Sequence, residues 1–416
     1  MQTEHNFILL YIDPGTGSML FTVVLGLLGT VVFFFRGLIL KLKSMAGGAK
    51  GKRVNSDKLP IVIYSDHKRY WNVFKPICDE FERRKQKIVY MTQSDDDPVL
   101  NAGYEYIEGR YIGAGNRGFS VLNLLNAGIV FSTTPGLDVL QWKRSKYVDR
   151  YIHIFHGASN ASFYKMFGID YYDSVLISGE FQRDVIRKLE SLRNLPEKKI
   201  GYSGIPYMDD MVRRLEGVKH EANQKPLVLL APSWGPNSIL VKYGEEFIDA
   251  LVATGYTIVI RPHPQSYTAD KAVLERLKKT YPDTDSLSWN SDNDNFDILE
   301  RSDIMISDYS GVILDYTLVF DKPVIYTAPD FDRSTLDCAW LDEIPWVLRT
   351  LPKIGHELSE KDLKSIKSVI DECLNSDRYE KGRDEVRDEV WLCRGTGAVS
   401  TVDYIMREYE ELENLK

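Results

Sequence analysis

Two histidines follow apolar, strand-like runs and stand at sharp turns. His156 follows the run at 151–155 and precedes Gly157, and His263 follows the run at 257–260 within an Arg-Pro-His-Pro segment. An imidazole titrates near neutral pH, so His156 is suited to act as a general base that takes a proton from an alcohol. His263 and the nearby Arg261 are suited to bind phosphate oxygens. The alternatives are a structural histidine at a turn and an arginine paired with an acid.

A third segment that could bind a ligand is the turn at 307–311, with the sequence SDYSG. It lies between an apolar run at 303–306 and an apolar helical pattern at 312–320, which predicts a strand, a tight turn and a helix. The N-terminus of a helix has free N–H groups and a dipole that favours an anion, so we predict phosphate binding here. Ordinary helix capping by Asp308 or Ser310 is the alternative. Because its charge repels phosphate, we expect Asp308 to hold the loop.

Four further residues are predicted to line a nucleotide site or a cleft. Ser233 and Trp234 follow the run at 227–231, where Trp234 either stacks on a base or packs as an ordinary aromatic side chain. Pro206 follows another run and is predicted to shape the cleft between two domains. Asp315 faces either the groove beside the 307–311 turn or solvent. His153, in contrast, lies inside an apolar run and is predicted to be a core residue.

No motif in the sequence predicts a metal or a cofactor. The three aspartates at 95–97 contain a DxD pattern, but they lie in a polar loop, and the segment GAGNRG at 113–118 lacks a convincing preceding strand. The four cysteines are widely spaced, which favours a reducing compartment over a disulfide framework or a zinc site. We therefore predict no metal site and no cofactor.

The elements that must position these residues form two alternating series. Strand-like runs of the first series lie at 61–65, 87–92, 129–132, 151–155, 175–178 and 200–203, and those of the second at 227–231, 257–261, 286–289, 304–307 and 324–327. Helical patterns separate them. Such alternation predicts parallel sheets with helices on both faces, and ligands that bind beyond the carboxyl ends of the strands. The sequence therefore predicts an α/β protein with two Rossmann-like domains.

An apolar stretch near the start of the chain predicts a membrane anchor. Residues 18–35 carry no charge, and residues 36–53 carry six basic and no acidic side chains. A span of this length approaches what a bilayer of roughly 30 Å requires, and the basic cluster places the following body in the cytoplasm. A cleaved signal peptide, a buried helix and a re-entrant hairpin are the alternatives. The formal net charge of −8, despite this cluster, does not favour nucleic-acid binding.

Taken in order, five motifs resemble the CDP-glycerol glycerophosphotransferase family, the teichoic-acid primases and polymerases of bacterial envelopes. The motifs are HG at 156–157, GxP at 204–206, APSW at 231–234, RPHP at 261–264 and SDYSG…DY at 307–316. The resemblance implies a GT-B fold, with two Rossmann-like domains that face each other across a cleft. It also implies transfer of glycerol phosphate from CDP-glycerol, or a similar donor, to a hydroxyl of a lipid-linked acceptor, with release of CMP.

The resemblance also implies roles for individual residues. His156 matches the general base, and His263 matches the histidine at the pyrophosphate of the donor. The residues that match the donor-phosphate loop are Ser307, Asp308, Ser310 and Gly311. The sequence departs from the family after HG, where ASNA replaces TPLK, and at Tyr207, where the family has an arginine. Both departures bear on the substrate more than on the reaction class.

Together these features divide the chain into five parts. They are an N-terminal extension at 1–17, a transmembrane anchor at 18–40, a basic linker at 41–58, an acceptor domain at 59–218 and a donor-binding domain with C-terminal helices at 219–416. We expect a single-pass protein of the cell membrane with a cytoplasmic catalytic body, and an oligomer is possible. Two alternatives remain open: a GT-B glycosyltransferase that uses a nucleotide sugar, and a non-catalytic, membrane-tethered nucleotide-binding or assembly protein.

Overall fold

The computed structural model describes residues 58–219, 222–327, 333–341, 344–359 and 361–415. The predicted N-terminal extension, the transmembrane anchor and all but the last residue of the basic linker lie outside the described residues. Within these ranges no helix is both long enough and apolar enough to cross a membrane. Lys58–Lys416 form one compact unit.

The first sheet has seven parallel strands. They are β1 (Leu59–Ser65), β2 (Ile88–Thr92), β3 (Ile107–Tyr111), β4 (Ala127–Ser132), β5 (Val148–Ile154), β6 (Ser174–Ile177) and β7 (Lys199–Tyr202). Their spatial order is β3-β2-β1-β4-β5-β6-β7. The helices of this half are α1 (Trp71–Arg83), α2 (Asn116–Leu122), α3 (Glu180–Arg193) and α4 (Pro206–Leu215).

The second sheet has six parallel strands. They are β8 (Leu227–Leu230), β9 (Thr257–Ile260), β10 (Leu287–Trp289), β11 (Ile304–Ser307), β12 (Val324–Tyr326) and β13 (His356–Glu357), in the spatial order β10-β9-β8-β11-β12-β13. The helices along this half are α5 (Ile239–Lys242), α6 (Gly244–Val252), α7 (Ser266–Ala269), α8 (Lys271–Thr280), α9 (Phe296–Arg301), α10 (Val312–Val319), α11 (Trp346–Ile354), α12 (Ile366–Leu374), α13 (Glu380–Val390) and α14 (Gly397–Asn414).

Both sheets are buried on their two faces, which explains why their central strands are continuous apolar runs. Ile61–Tyr64 in β1 and Ile304–Ile306 in β11 are completely inaccessible to solvent. Each fully buried side chain of this size contributes about 1.5–3 kcal/mol through removal of apolar surface from water. The parallel strands leave their carboxyl ends at one edge of each sheet.

All eleven predicted strands are confirmed, and two strands were missed. β3 has the sequence IEGRY at an edge of its sheet, and β13 has only two residues, so neither shows a buried apolar run. The last region, predicted to be helical, contains α12, α13 and α14. Helix α14 packs against α1, β4 and β7 of the first half, although it follows the second sheet in sequence. The division of the chain at residue 219 stays a prediction.

Candidate active site

The carboxyl ends of neighbouring strands bring several loops together in each half. In the first sheet the order of connections reverses between β1 and β4, and in the second between β8 and β11. Such switch points leave a crevice where α/β proteins bind ligands. The loops after β1, β5, β9 and β11 carry the residues described next.

His156 lies just beyond β5, partly buried beside two tyrosine rings. Its ring centroid is 5.3 Å from that of Tyr70 and 6.1 Å from that of Tyr164. Its Nδ1 is buried and has no hydrogen-bond partner among the described residues. Burial, and next the charge of Arg69, lower the pKa of His156 to about 4. The ring is therefore neutral at pH 7 and can accept a proton.

His263 lies beyond β9, and its pKa is affected by the charge of His156 in the other half of the molecule. Burial, and next the charges of Arg69 and His156, lower the pKa of His263 to about 4. Its Nδ1 accepts a hydrogen bond from the backbone N–H of Gln265 at 3.1 Å. In the neutral ring the proton therefore lies on Nε2, which is the atom able to donate to a ligand. The structure thus places the two predicted histidines close enough to interact electrostatically.

Arg69 is a functional candidate that the sequence did not single out. It lies in the loop between β1 and α1, and its guanidinium carbon is 4.9 Å from the centroid of the Tyr70 ring. Its Nη1 donates to Oε1 of Gln265 at 3.4 Å, which joins the loops after β1 and β9. The available signal was its position directly after the first strand of a parallel sheet.

The 307–311 turn is held from within by its first two residues. Asp308 is completely buried, and its carboxylate accepts the backbone N–H of Ser233 at 2.9 and 3.0 Å and that of Ile239 at 3.4 Å. Ser307 is also buried, and its hydroxyl donates to the carbonyl of Ala231 at 2.6 Å. These side chains fasten the turn to the loop after β8, as the sequence predicts for Asp308, and do not face a ligand as the resemblance implies for both residues.

The end of the turn is open, because it borders the start of α10. Gly311 is exposed, and a Cβ built on it would meet no atom within 4 Å. Ser310 is partly exposed beside it. The backbone N–H groups of Ile313 and Leu314 donate to the carbonyls of Ser310 and Gly311, so the N–H groups left for a ligand lie before Ile313. Ser310 and Gly311 therefore remain the residues of this turn that are available to contact a phosphate.

Arg261 donates its hydrogen bonds to residues of the same half of the molecule. Its guanidinium donates to the side chain of Asn290 and to the backbone carbonyl of Asp292, the latter at 2.7 Å. Burial lowers the pKa of Arg261, and the charge of Asp292 opposes that change. The structure therefore favours a role for Arg261 in holding the loop after β10 over direct contact with a phosphate, although its hydrogen-bond partners are an amide and a backbone carbonyl rather than the predicted acid.

The remaining residues predicted to line the cleft do not lie together. Ser233 is buried and donates its backbone N–H to Asp308, whereas Trp234 has 44% of its surface exposed. Pro206 begins α4 and lines a cavity of about 230 Å³ with Asp209 and Gly395, and neither histidine borders that cavity.

Asp315 makes a contact between the two halves. Its carboxylate accepts a hydrogen bond from the hydroxyl of Tyr207 at the start of α4. Burial raises the pKa of Asp315 to about 7, and the bond from Tyr207 opposes the rise. A Cβ built on Gly157 would lie 3.5 Å from the Tyr207 hydroxyl oxygen, so this pair borders the loop of His156. Asp315 faces the groove rather than solvent.

Two residues that resemble site components are structural. His153 is completely buried, its Nε2 lies 3.2 Å from the Tyr164 hydroxyl, and burial lowers its pKa to about 3. The prediction that it is a core residue is confirmed. Asp97, the last residue of the DxD-like triplet, is buried and accepts hydrogen bonds from the hydroxyl of Thr92 and the backbone N–H of Val99.

In the part of the chain that is described, no cluster of three His, Cys, Asp or Glu side chains is suited to a metal.

Comparison with known proteins identifies one family. Residues 61–335, about two thirds of the chain, match the family described as CDP-Glycerol:Poly(glycerophosphate) glycerophosphotransferase. A comparison with curated proteins gives no significant match.

Solved structures of similar fold include a teichoic acid polymerase and an epimerase. The wall teichoic acid polymerase TagF is 17% identical, with a TM-score of 0.58 over 91% of this chain and 98% of that one. A histidine variant of TagF soaked with CDPG is 16% identical, with a TM-score of 0.56 over 92% and 99% of the two chains. A putative UDP-N-acetylglucosamine 2-epimerase from Listeria monocytogenes is 13% identical, with a TM-score of 0.53 over 85% and 97%. These similarities show the fold alone, which is GT-B-like as expected.

Proposed function

Because the chain belongs to the CDP-glycerol:poly(glycerophosphate) glycerophosphotransferase family, we propose that it transfers glycerol phosphate, or a related polyol phosphate, from a CDP-alcohol to a hydroxyl of a lipid-linked envelope acceptor. CMP is the other product. The observation that carries this proposal is the proximity of the loops of His156 and His263: the Tyr70 ring centroid is 5.3 Å from that of His156, and the neighbouring Arg69 donates to Gln265, two residues after His263. A solved structure of TagF soaked with CDPG supports the choice of donor.

In the proposed step the neutral His156 accepts the proton of the acceptor hydroxyl. The hydroxyl oxygen attacks the phosphorus that bears glycerol, and the bond from that phosphorus to the bridging oxygen breaks, so that CMP leaves with the bridging oxygen. A pKa of about 4 leaves the free imidazole unprotonated at neutral pH. The arrival of a negatively charged diphosphate raises the basicity of the ring, because an anion stabilises the imidazolium.

The charge that moves onto the leaving CMP needs fixed donors. The Nε2–H of His263 is suited to donate to a diphosphate oxygen, since the Nδ1 of that ring already accepts the Gln265 N–H. The open N-terminal turn of α10, at Ser310 and Gly311, supplies backbone N–H groups and a helix dipole. Donors held in place before the reaction lower the barrier without reorganisation.

We also propose that residues 18–40 anchor the protein in the cell membrane as a single span, with the catalytic body in the cytoplasm. The support is the charge-free run at 18–35 followed by six basic residues. An anchor would raise the effective concentration of a lipid-linked acceptor near the site. Retention in the membrane after alkaline carbonate extraction is expected, and complete release would contradict the anchor. Protection of residues 58–416 from external protease in intact cells tests the orientation.

The reaction is tested by incubating membranes that contain the protein with CDP-glycerol, CDP-ribitol or UDP-sugars and by measuring the nucleotide released. Release of CMP that depends on a lipid-linked acceptor is expected. Membranes with equal amounts of a His156→Ala variant are the control for background hydrolysis. Release of UDP from a nucleotide sugar, with no CMP from either CDP-alcohol, would favour a glycosyltransferase. Donor binding without turnover on any acceptor would favour a non-catalytic binding protein.

A further inference from the structure

Arg69 is a partly buried cation without a carboxylate partner. Its Nε is buried and has no hydrogen-bond partner, and among the described residues no acidic side chain forms an ion pair with it. The acid beside it in sequence, Asp66, instead accepts a hydrogen bond from the hydroxyl of Thr134 at 2.9 Å. Withdrawing a guanidinium from water costs free energy unless an anion compensates it.

The charge of Arg69 lowers the pKa of both histidines of the site. The charge of Arg69 is the second largest cause, after burial, of the lowered pKa of His156 and of His263. Both rings are neutral at pH 7, and the positive charge that acts on both of them is the guanidinium of Arg69. A permanent charge beside two neutral imidazoles is the arrangement expected where a polyanionic substrate supplies the missing negative charge.

The contact that Arg69 does make is too weak to account for its burial. Its Nη1 donates to the neutral Oε1 of Gln265 at 3.4 Å, which is beyond the usual range of 2.7–3.2 Å for such bonds. The Tyr70 ring below the guanidinium adds a cation–π contact, with 4.9 Å between the guanidinium carbon and the ring centroid. The ring offsets part of the charge but supplies no oxygen acceptor for the guanidinium N–H groups.

We propose that Arg69 binds a phosphate group of the substrate in the crevice between His156 and His263. A guanidinium offers parallel N–H groups that match two phosphate oxygens. The inference rests on the proposed function, in which both substrates are sources of phosphate: a CDP-alcohol carries a diphosphate, and a poly(glycerophosphate) acceptor carries phosphodiesters. Arg69 would then add a residue of the first half to a donor site otherwise built by the second.

The test compares full-length Arg69→Gln and Arg69→Lys with the wild type, and Gln265→Ala is the matched control. Gln265→Ala removes the bond between the two loops but leaves the cation in place. Calorimetry measures the affinity for CDP-glycerol and for inorganic pyrophosphate, and steady-state kinetics measures the KM for the acceptor. Circular dichroism checks that each variant is folded.

If Arg69 binds the donor, Arg69→Gln weakens CDP-glycerol and pyrophosphate about 10- to 100-fold, the range for hydrogen bonds to charged groups. Gln265→Ala changes them less than about twofold. If Arg69 binds the acceptor, donor affinity is preserved and the acceptor KM rises by a similar factor. Should Arg69→Gln fail to fold, Arg69→Lys supplies the test, because it keeps the charge and loses the paired N–H groups.

Two outcomes would overturn the inference. In the first, Arg69→Gln leaves both donor affinity and acceptor KM within about twofold of the wild type. In the second, Gln265→Ala reproduces the full effect of Arg69→Gln, which would make the bridge between loops the role of this residue. A wild-type protein that binds pyrophosphate through Arg69 but neither binds nor turns over CDP-glycerol would contradict the proposed function and leave the phosphate site standing.

Discussion

Replacing Asp315 with asparagine should stabilise the protein, and the gain should grow with pH. Burial raises the pKa of Asp315 from an ordinary value of 3.8 to about 7 in the folded protein. A carboxyl whose folded pKa is raised favours folding fully only below its unfolded pKa, and that contribution is lost as pH rises through the folded pKa. Asparagine removes the ionisation and keeps an oxygen that can accept the hydrogen bond from Tyr207.

The expected size follows from the two pKa values. Ionisation of Asp315 costs the folded state about 1.7 kcal/mol at pH 5 and about 4 kcal/mol at pH 8. The difference between the free energies of unfolding of Asp315→Asn and wild type should therefore increase by about 2.5 kcal/mol between these pH values. Urea unfolding of both proteins at pH 5, 6, 7 and 8, followed by tryptophan fluorescence, measures this difference. A difference that stays constant across the range would refute the buried, hydrogen-bonded carboxyl.

Three further predictions concern catalysis and the backbone. His156→Ala should abolish transfer while CDP-glycerol still binds, and unchanged turnover, measured as CMP release, would remove His156 from the mechanism. Because the pKa values of His156 and His263 are lowered to about 4, kcat/KM for CDP-glycerol should not lose activity to their protonation until pH falls below about 5; a midpoint near 6.5 would contradict the burial of both rings. Gly204→Ala should destabilise the protein by at least about 1–3 kcal/mol, because Gly204 has a φ of +61° and its Cβ would lie 2.3 Å from the Leu392 carbonyl oxygen. Gly103→Ala is the matched control, since Gly103 has a φ of +73° and open space around it; equal losses of thermal stability in the two variants would exclude the clash.

The strands and the motifs at their ends could be predicted from the sequence because each central strand is a short apolar run with a polar residue where it stops. His156, His263 and the turn before α10 are of this kind. Parallel strands present their carboxyl ends at one edge, so the histidines were expected to lie near a common crevice. The buried roles of Ser307 and Asp308 depend on the loop after β8, which lies about 75 residues earlier in the chain and leaves no local signal.

Arg69 shows what local patterns do not reveal. It lies in a loop of charged and polar residues that is typical of a solvated connection, and its neighbours His156 and Gln265 follow β5 and β9, which are distant in sequence. The contact of Tyr207 with Asp315 is a similar case. Tyr207 stood out in the sequence only as a departure from the family, whereas the structure pairs it with a carboxyl on a helix of the other half. Contacts between halves of a molecule depend on how the halves pack, which periodicity does not encode.

The central claim is that His156 and His263 act on one diphosphate. An experimental structure of the full-length protein with CDP-glycerol bound tests this claim most directly. We expect the diphosphate within hydrogen-bonding distance of His263 Nε2 and beside Gly311, with the phosphorus that bears glycerol facing His156. A diphosphate bound elsewhere, with His156 and His263 on opposite sides of separate cavities, would contradict the account.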